Sequence, residues 1–145
     1  MKIDSITTGI VLDHIPAGRG MEIYRYLRLD KLTSPVAIIQ NAKSEKLGKK
    51  DIIKIDAVID VDMDVLGYIG PGITVNIIRD GVRVEKRELQ LPEQITNVLK
   101  CKNPRCITTA DPTLDQVFCL SDREKRTYRC AYCEEQTHAT TLRDA

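Results

Sequence analysis

The sequence predicts an α+β protein. A sheet-and-helix domain of βαββαβ order comes first, and a small all-β domain built round four cysteines follows. Three observations predict this. Strand-like and helix-like segments alternate through residues 2–88. Asp80-Gly81 stands between two apolar-patterned runs, a strong signal for a tight hairpin. The chain then closes with Cys101 and Cys106, four residues between them, and Cys130 and Cys133, two residues between them, the pairs lying 23 residues apart.

Residues 2–15 are strand-like, with Gly9 expected to mark a bulge or kink. Pro16-Ala17-Gly18-Arg19-Gly20 breaks the strand. From Met21 to Leu29 the apolar residues Met21, Ile23, Tyr24, Tyr26 and Leu27 fall on one broad face of a helix. Val36 to Ile39 is a short strand of buried type, and Lys43 to Lys50 is a polar turn containing Gly48. Asp51 to Ile59 alternates, with Ile53 and Ile55 on one face and Lys54 on the other. Asp60, Asp62 and Asp64 suit the N-terminal end of a helix dipole, and Pro71-Gly72 stops that helix. Ile73–Arg79 and Val82–Glu88 form the hairpin about Asp80-Gly81. This order is the ferredoxin-like split βαβ arrangement, its last strand extended into a hairpin. Residues 1–92 make the first domain, Leu91-Pro92-Glu93 to Leu99 the linker, and residues 97–145 the second domain.

Residues 97–145 hold one Phe, two Tyr and no Trp, too little apolar bulk to fold alone without a metal or disulfides. Zinc takes four thiolates at tetrahedral corners, and short Cys-x(2–4)-Cys pairs each supply two corners. One structural Zn2+ on Cys101, Cys106, Cys130 and Cys133 is therefore the expectation. Two disulfides are the weaker reading, because the cysteines number five and no secretory signal is recognisable. A closed four-thiolate site has no open position for substrate, so it argues for architecture rather than metal catalysis. Cys119, in Val117-Phe118-Cys119-Leu120, reads as a small buried residue of a strand.

Charge narrows the function. Residues 1–94 carry 14 basic and 14 acidic side chains, and residues 95–145 carry 8 and 7. Zinc held by four thiolates subtracts two more charges, leaving the second domain slightly negative. A zinc ribbon on nucleic acid, the competing class, shows a clear positive excess instead. No apolar run approaches the ~20 residues of a membrane span, and reduced cysteines suit the cytoplasm. The first domain shows no phosphate loop, nucleophile elbow or carboxylate pair beside a base, so no enzymatic activity is expected. Asp13-His14, at a strand end, reads either as a structural Asp with a partly exposed His or as a ligand-binding pair. Lys54 lies inside an alternating strand, and Lys86 lies on the hairpin. Brought together by the sheet, they would make an anion site suited to a phosphate chain.

Several stretches then resemble a known family, the regulatory chain of aspartate carbamoyltransferase. They are Gly9-Ile10-Val11-Leu12-Asp13-His14-Ile15-Pro16-Ala17, Gly48-Lys49-Lys50-Asp51-Ile52-Ile53-Lys54-Ile55, Thr74-Val75-Asn76, Leu91-Pro92-Glu93 and Asn97-Val98-Leu99. Cys101-x-Asn103-x-x-Cys106-Ile107 and Cys130-x-Tyr132-Cys133-Glu134 complete the set, and the resemblance runs from about residue 3 to residue 140. It implies a non-catalytic subunit that binds CTP and ATP as effectors rather than cofactors. It also implies self-pairing through the N-terminal domain and docking of the zinc domain on the catalytic chain. By position, Asp13, Lys54, Asn76, Ile78 and Lys86 match residues lining the effector site, as do Ile6 and His14. Lys86 and Lys54 would meet phosphate and ribose. The four paired cysteines match the zinc ligands.

Overall fold

A computed structural model describes residues 6–138 of the chain, so the first four residues of the predicted opening strand lie outside the described part. The first strand is β1 (Gly9–Pro16), followed by α1 (Gly20–Tyr26) and a 3-10 turn at Leu29–Lys31. Strands β2 (Val36–Ser44) and β3 (Gly48–Ile55), helix α2 (Met63–Ile69), and the hairpin β4 (Thr74–Arg79) and β5 (Val82–Glu88) complete the first unit. The second unit holds β6 (Gln94–Thr96), the one-turn α3 (Ile107–Ala110), β7 (Val117–Asp122), β8 (Thr127–Cys130) and β9 (Gln136–His138).

The first sheet has the order β2-β3-β1-β4-β5, antiparallel at every step. This is the strand order of a split βαβ unit, with β5 added at one edge. Period-two alternation turns Ile10, Leu12, Ile53, Ile55 and Val75 to one face, where Ile23 of α1 and Val65, Leu66 and Ile69 of α2 complete a single buried core. Burying each such side chain contributes about 1.5–3 kcal/mol. The second sheet, β6-β7-β8-β9, packs Ile95, Leu99, Phe118 and Tyr128 in a smaller core that also includes Cys106 and Cys130.

Helix α2 is shared by both cores. Asp62 caps it by accepting from the amides of Asp64 and Val65 at 3.0 and 3.2 Å. Every residue from Val65 to Ile69 is buried. Val65, Leu66 and Ile69 face the first core, whereas Tyr68 belongs to the second. Gly67 abuts the Gln90 carbonyl so closely that a Cβ there would collide with it. Tyr68 meets Tyr128 edge to face, with ring centroids 5.5 Å apart and planes at 73°. The Tyr128 hydroxyl donates to the Pro92 carbonyl at 2.6 Å, and Arg123 donates to that of Leu91 at 2.8 Å. Burial raises the Tyr128 pKa, so its proton stays on as a donor.

Several local expectations change. The bulge in β1 falls between Leu12 and Ile15, not at Gly9. Gly9 is instead a close-approach position, where a Cβ would run into the Ile55 carbonyl. The second strand continues past Ile39 to Ser44 by means of an irregularity at Asn41, which has φ 60°. The segment expected to link the domains is structured: Gln94–Thr96 pairs with Val117–Cys119, and Leu91, Ile95 and Leu99 are buried. Cys119 is exposed rather than buried, because its strand turns Phe118 inward and the next residue must face outward.

Replacing Tyr128 by Phe keeps the ring but leaves the Pro92 carbonyl without its donor. Chemical denaturation should then show a loss of about 1–3 kcal/mol. No measurable loss would mean that water reaches this carbonyl.

Candidate functional site

Two places concentrate chemistry. The first is the cysteine cluster. Cys101 precedes α3, Cys106 caps it, Cys130 ends β8 and Cys133 lies in the turn beyond. Their four Sγ atoms lie within 4.8 Å of one another. Cys101 and Cys133 are 3.5 Å apart at sulfur, and Cys106 and Cys130 are 3.7 Å apart. These spacings exceed the ~2.05 Å of a disulfide. They match the roughly 3.8 Å edge of a tetrahedron of sulfurs about an ion with bonds of about 2.3 Å. The donor set suits zinc.

Neighbouring polar groups offset the charge of the cluster. The Thr108 hydroxyl lies 3.0 Å from Cys106 Sγ, and the Gln116 amide donates to Cys130 Sγ at 3.6 Å. The same Gln116 accepts from the Cys101 backbone amide at 2.9 Å, so one side chain supports two ligands on different elements. The Thr108 hydrogen bond pulls the Cys106 thiol pKa down, while burial pushes that of Cys101 up. Neither Thr108 nor Gln116 carries a motif signal in the sequence.

The second place is the face of the first sheet opposite its core. Strand register aligns Ala37, Lys54, Val11, Asn76 and Lys86 in one row across five strands. Paired residues in adjacent strands point to the same face. Lys54, Asn76 and Lys86 therefore share it, and Asn76 Nδ2 steadies itself on the Val11 carbonyl at 3.4 Å. Ile78 lies on the same face one step along, opposite Gly9. Ile6 covers Gly9: its Cγ2 is 2.8 Å from where a Cβ on that glycine would sit.

Asp13 and His14 occupy the other end. The bulge and the left-handed backbone of His14 (φ 58°) break the alternation that would send them to opposite faces. His14 Nδ1 lies 3.1 Å from Thr74 Oγ1. Asp13 is committed to Lys50, 3.0 Å away, and accepts from the His14 amide. Burial alone would raise its pKa. The Lys50 and His14 interactions outweigh burial and hold the carboxyl below its ordinary range. The sequence reading missed Lys50 as Asp13's partner, since only the bulged register brings it near. It also missed Asp51, fully buried, which accepts amide hydrogen bonds from Gly18, Gly20 and Asn41 and so fixes the loop after β1.

Comparison with known proteins finds one family over most of the chain. Residues 1–90 match the family model for the aspartate carbamoyltransferase regulatory chain, allosteric domain, and residues 93–142 match that for its metal binding domain. A curated aspartate carbamoyltransferase regulatory chain of Clostridium tetani is 51% identical, over 93% of this chain and 94% of its own. The corresponding chain of Clostridium botulinum strain Hall is 50% identical, over 93% and 92%. That of Bifidobacterium longum is 46% identical, over 94% and 98%. Among the described residues no helix is long and apolar enough to cross a membrane.

A chelator should strip one metal ion per chain, and more readily as pH falls, because protons compete for the thiolates. Hydrogen exchange should then accelerate in β6–β9 and not in β1–β4. Equal acceleration in both sheets would show that the two cores unfold as one unit.

Proposed function

The chain belongs to the aspartate carbamoyltransferase regulatory chain family, a family of non-catalytic subunits, and from that premise we propose that it binds nucleotide effectors on its first sheet and docks on a catalytic chain through a zinc-held module. Residues 1–92 act as the effector domain and residues 97–145 as the docking domain. CTP and ATP are the effectors, and regulatory chains pair through the first domain. Four reduced thiols accord with work in the cytoplasm.

The single observation that carries this reading is the row Lys54–Val11–Asn76–Lys86. Two cations flank a polar amide on an otherwise half-buried surface, and neither has an ion pair among the described residues. Lys54 and Lys86 would hold phosphate and ribose as point charges, with Asn76 offering both a donor and an acceptor between them. Ile6 and Ile78 supply an apolar strip for a base. Asp13 and His14 close the far end, Asp13 holding Lys50 in place and His14 keeping Nε2 for the ligand. Cys101, Cys106, Cys130 and Cys133 would hold one Zn2+, which supplies rigidity rather than chemistry.

An effector acts at a distance only by binding two states of an assembly unequally, with couplings typically of ~1–3 kcal/mol. Helix α2 provides the physical connection, since it buries residues in both cores. The near-neutral charge balance of the second domain gives no support to a nucleic-acid ribbon.

Calorimetric titration of the zinc-loaded chain with CTP and ATP at fixed salt tests the effector reading. Saturable binding is expected, weakened about tenfold or more by Lys86→Ala. A folded chain that takes no nucleotide would remove it. Cys101→Ala should unfold the second domain and abolish assembly with the catalytic chain while nucleotide binding persists. Loss of both together would contradict the division of labour.

A further inference from the structure

Strand β5 hides a departure from alternation. Arg83 and Lys86 are three residues apart, so a regular strand would send them to opposite faces. The register of the β4–β5 ladder shifts between Ile77, which pairs with Glu85, and Ile78, which pairs with Arg83. Val84 is left with no opposite number and is 56% exposed. This one extra residue returns Arg83 to the face that carries Ile78, Asn76 and Lys86.

Its surroundings there are specific. Arg83 flanks the apolar end of the face, where Ile78 pairs with Gly9 and Ile6 covers that glycine. The other end is already neutralised. Lys50 pairs with Asp13, and Lys46 lies 3.8 Å from Glu88. Arg83 has no ion pair or side-chain hydrogen bond among the described residues. The face therefore separates into a phosphate-suited row, Lys54 to Lys86, and an apolar strip edged by one free guanidinium.

We infer that Arg83 reads the base of the effector. This rests on the nucleotide-effector reading above and deepens it. Guanidinium offers a rigid fork of donors and no acceptor. A flat base lying on Ile6 and Ile78 would present its edge to that fork. Two adjacent acceptors, O6 and N7 of guanine or O2 and N3 of cytosine, match it. Adenine sets an amino donor beside N7 or N1, and that edge meets the fork donor to donor. The site accordingly prefers CTP and GTP to ATP.

The test is calorimetric titration of the full zinc-loaded chain with CTP, GTP and ATP, for the native sequence, Arg83→Gln and Arg83→Lys. Arg83 is exposed, so both variants should melt where the native chain does. Affinity for CTP and GTP should fall about tenfold in both variants, while ATP changes far less, so that the preference collapses. Lysine keeps the charge and loses the fork. If Arg83→Lys binds all three like the native chain, or if the three nucleotides weaken equally, Arg83 acts as a charge and base reading is refuted. Unchanged binding in both variants refutes any contact. A native chain that binds no nucleotide refutes the effector reading itself, and this inference with it.

Discussion

The second unit depends on four sulfur atoms gathered within 4.8 Å. Thiolates so close repel one another, and only a cation among them makes the arrangement favourable. Two of the four, Cys106 and Cys130, are also members of the second core, beside Ile95, Leu99, Phe118 and Tyr128. Metal binding and hydrophobic burial are therefore the same event in this sheet. Six other buried residues form its core, and two of these, Tyr68 and Leu91, come from residues 1–92. A core that small cannot offset the conformational entropy of the loops between its strands.

The first sheet solves a different problem. Its core is closed by ordinary alternation and two short helices, and it has no need of a metal. Its other face is free to carry charge: Lys50 is paired with Asp13 at one end, while Lys54, Lys86 and Arg83 have no ion pair among the described residues. Such charges cost little when solvated and become valuable when an anion arrives. The bulges decide which residues share that face. One brings Asp13 and His14 to its end, and the other brings Arg83 beside Ile78.

Much of this was legible beforehand. The cysteine pairs announced their own convergence because spacing alone suffices for thiolate pairs. The Asp80-Gly81 turn fixed the β4–β5 hairpin, and both residues do adopt positive φ, 52° and 76°. Resemblance suggested Lys54, Asn76, Ile78 and Lys86 for an effector site, and strand register sets these four on one face. What stayed hidden has a common cause. Parity in a strand is a running count, and one inserted residue changes every side chain beyond it. Nothing in Leu12-Asp13-His14-Ile15 or Val82-Arg83-Val84 declares that insertion. Burial was misjudged where a residue's type outvoted its position, as at Cys119. The supposed linker was misjudged because three residues, Gln94–Thr96, are too few to show a period.

Helix α2 also has a mechanical character. It is a rod of seven residues, buried without a break from Val65 to Ile69. Near its middle Gly67 rests directly on the Gln90 carbonyl, with no side chain between them. Contact of backbone on backbone resists compression and offers no compliant layer. The Tyr68 ring, one residue past that contact, is the part of α2 that the second core buries.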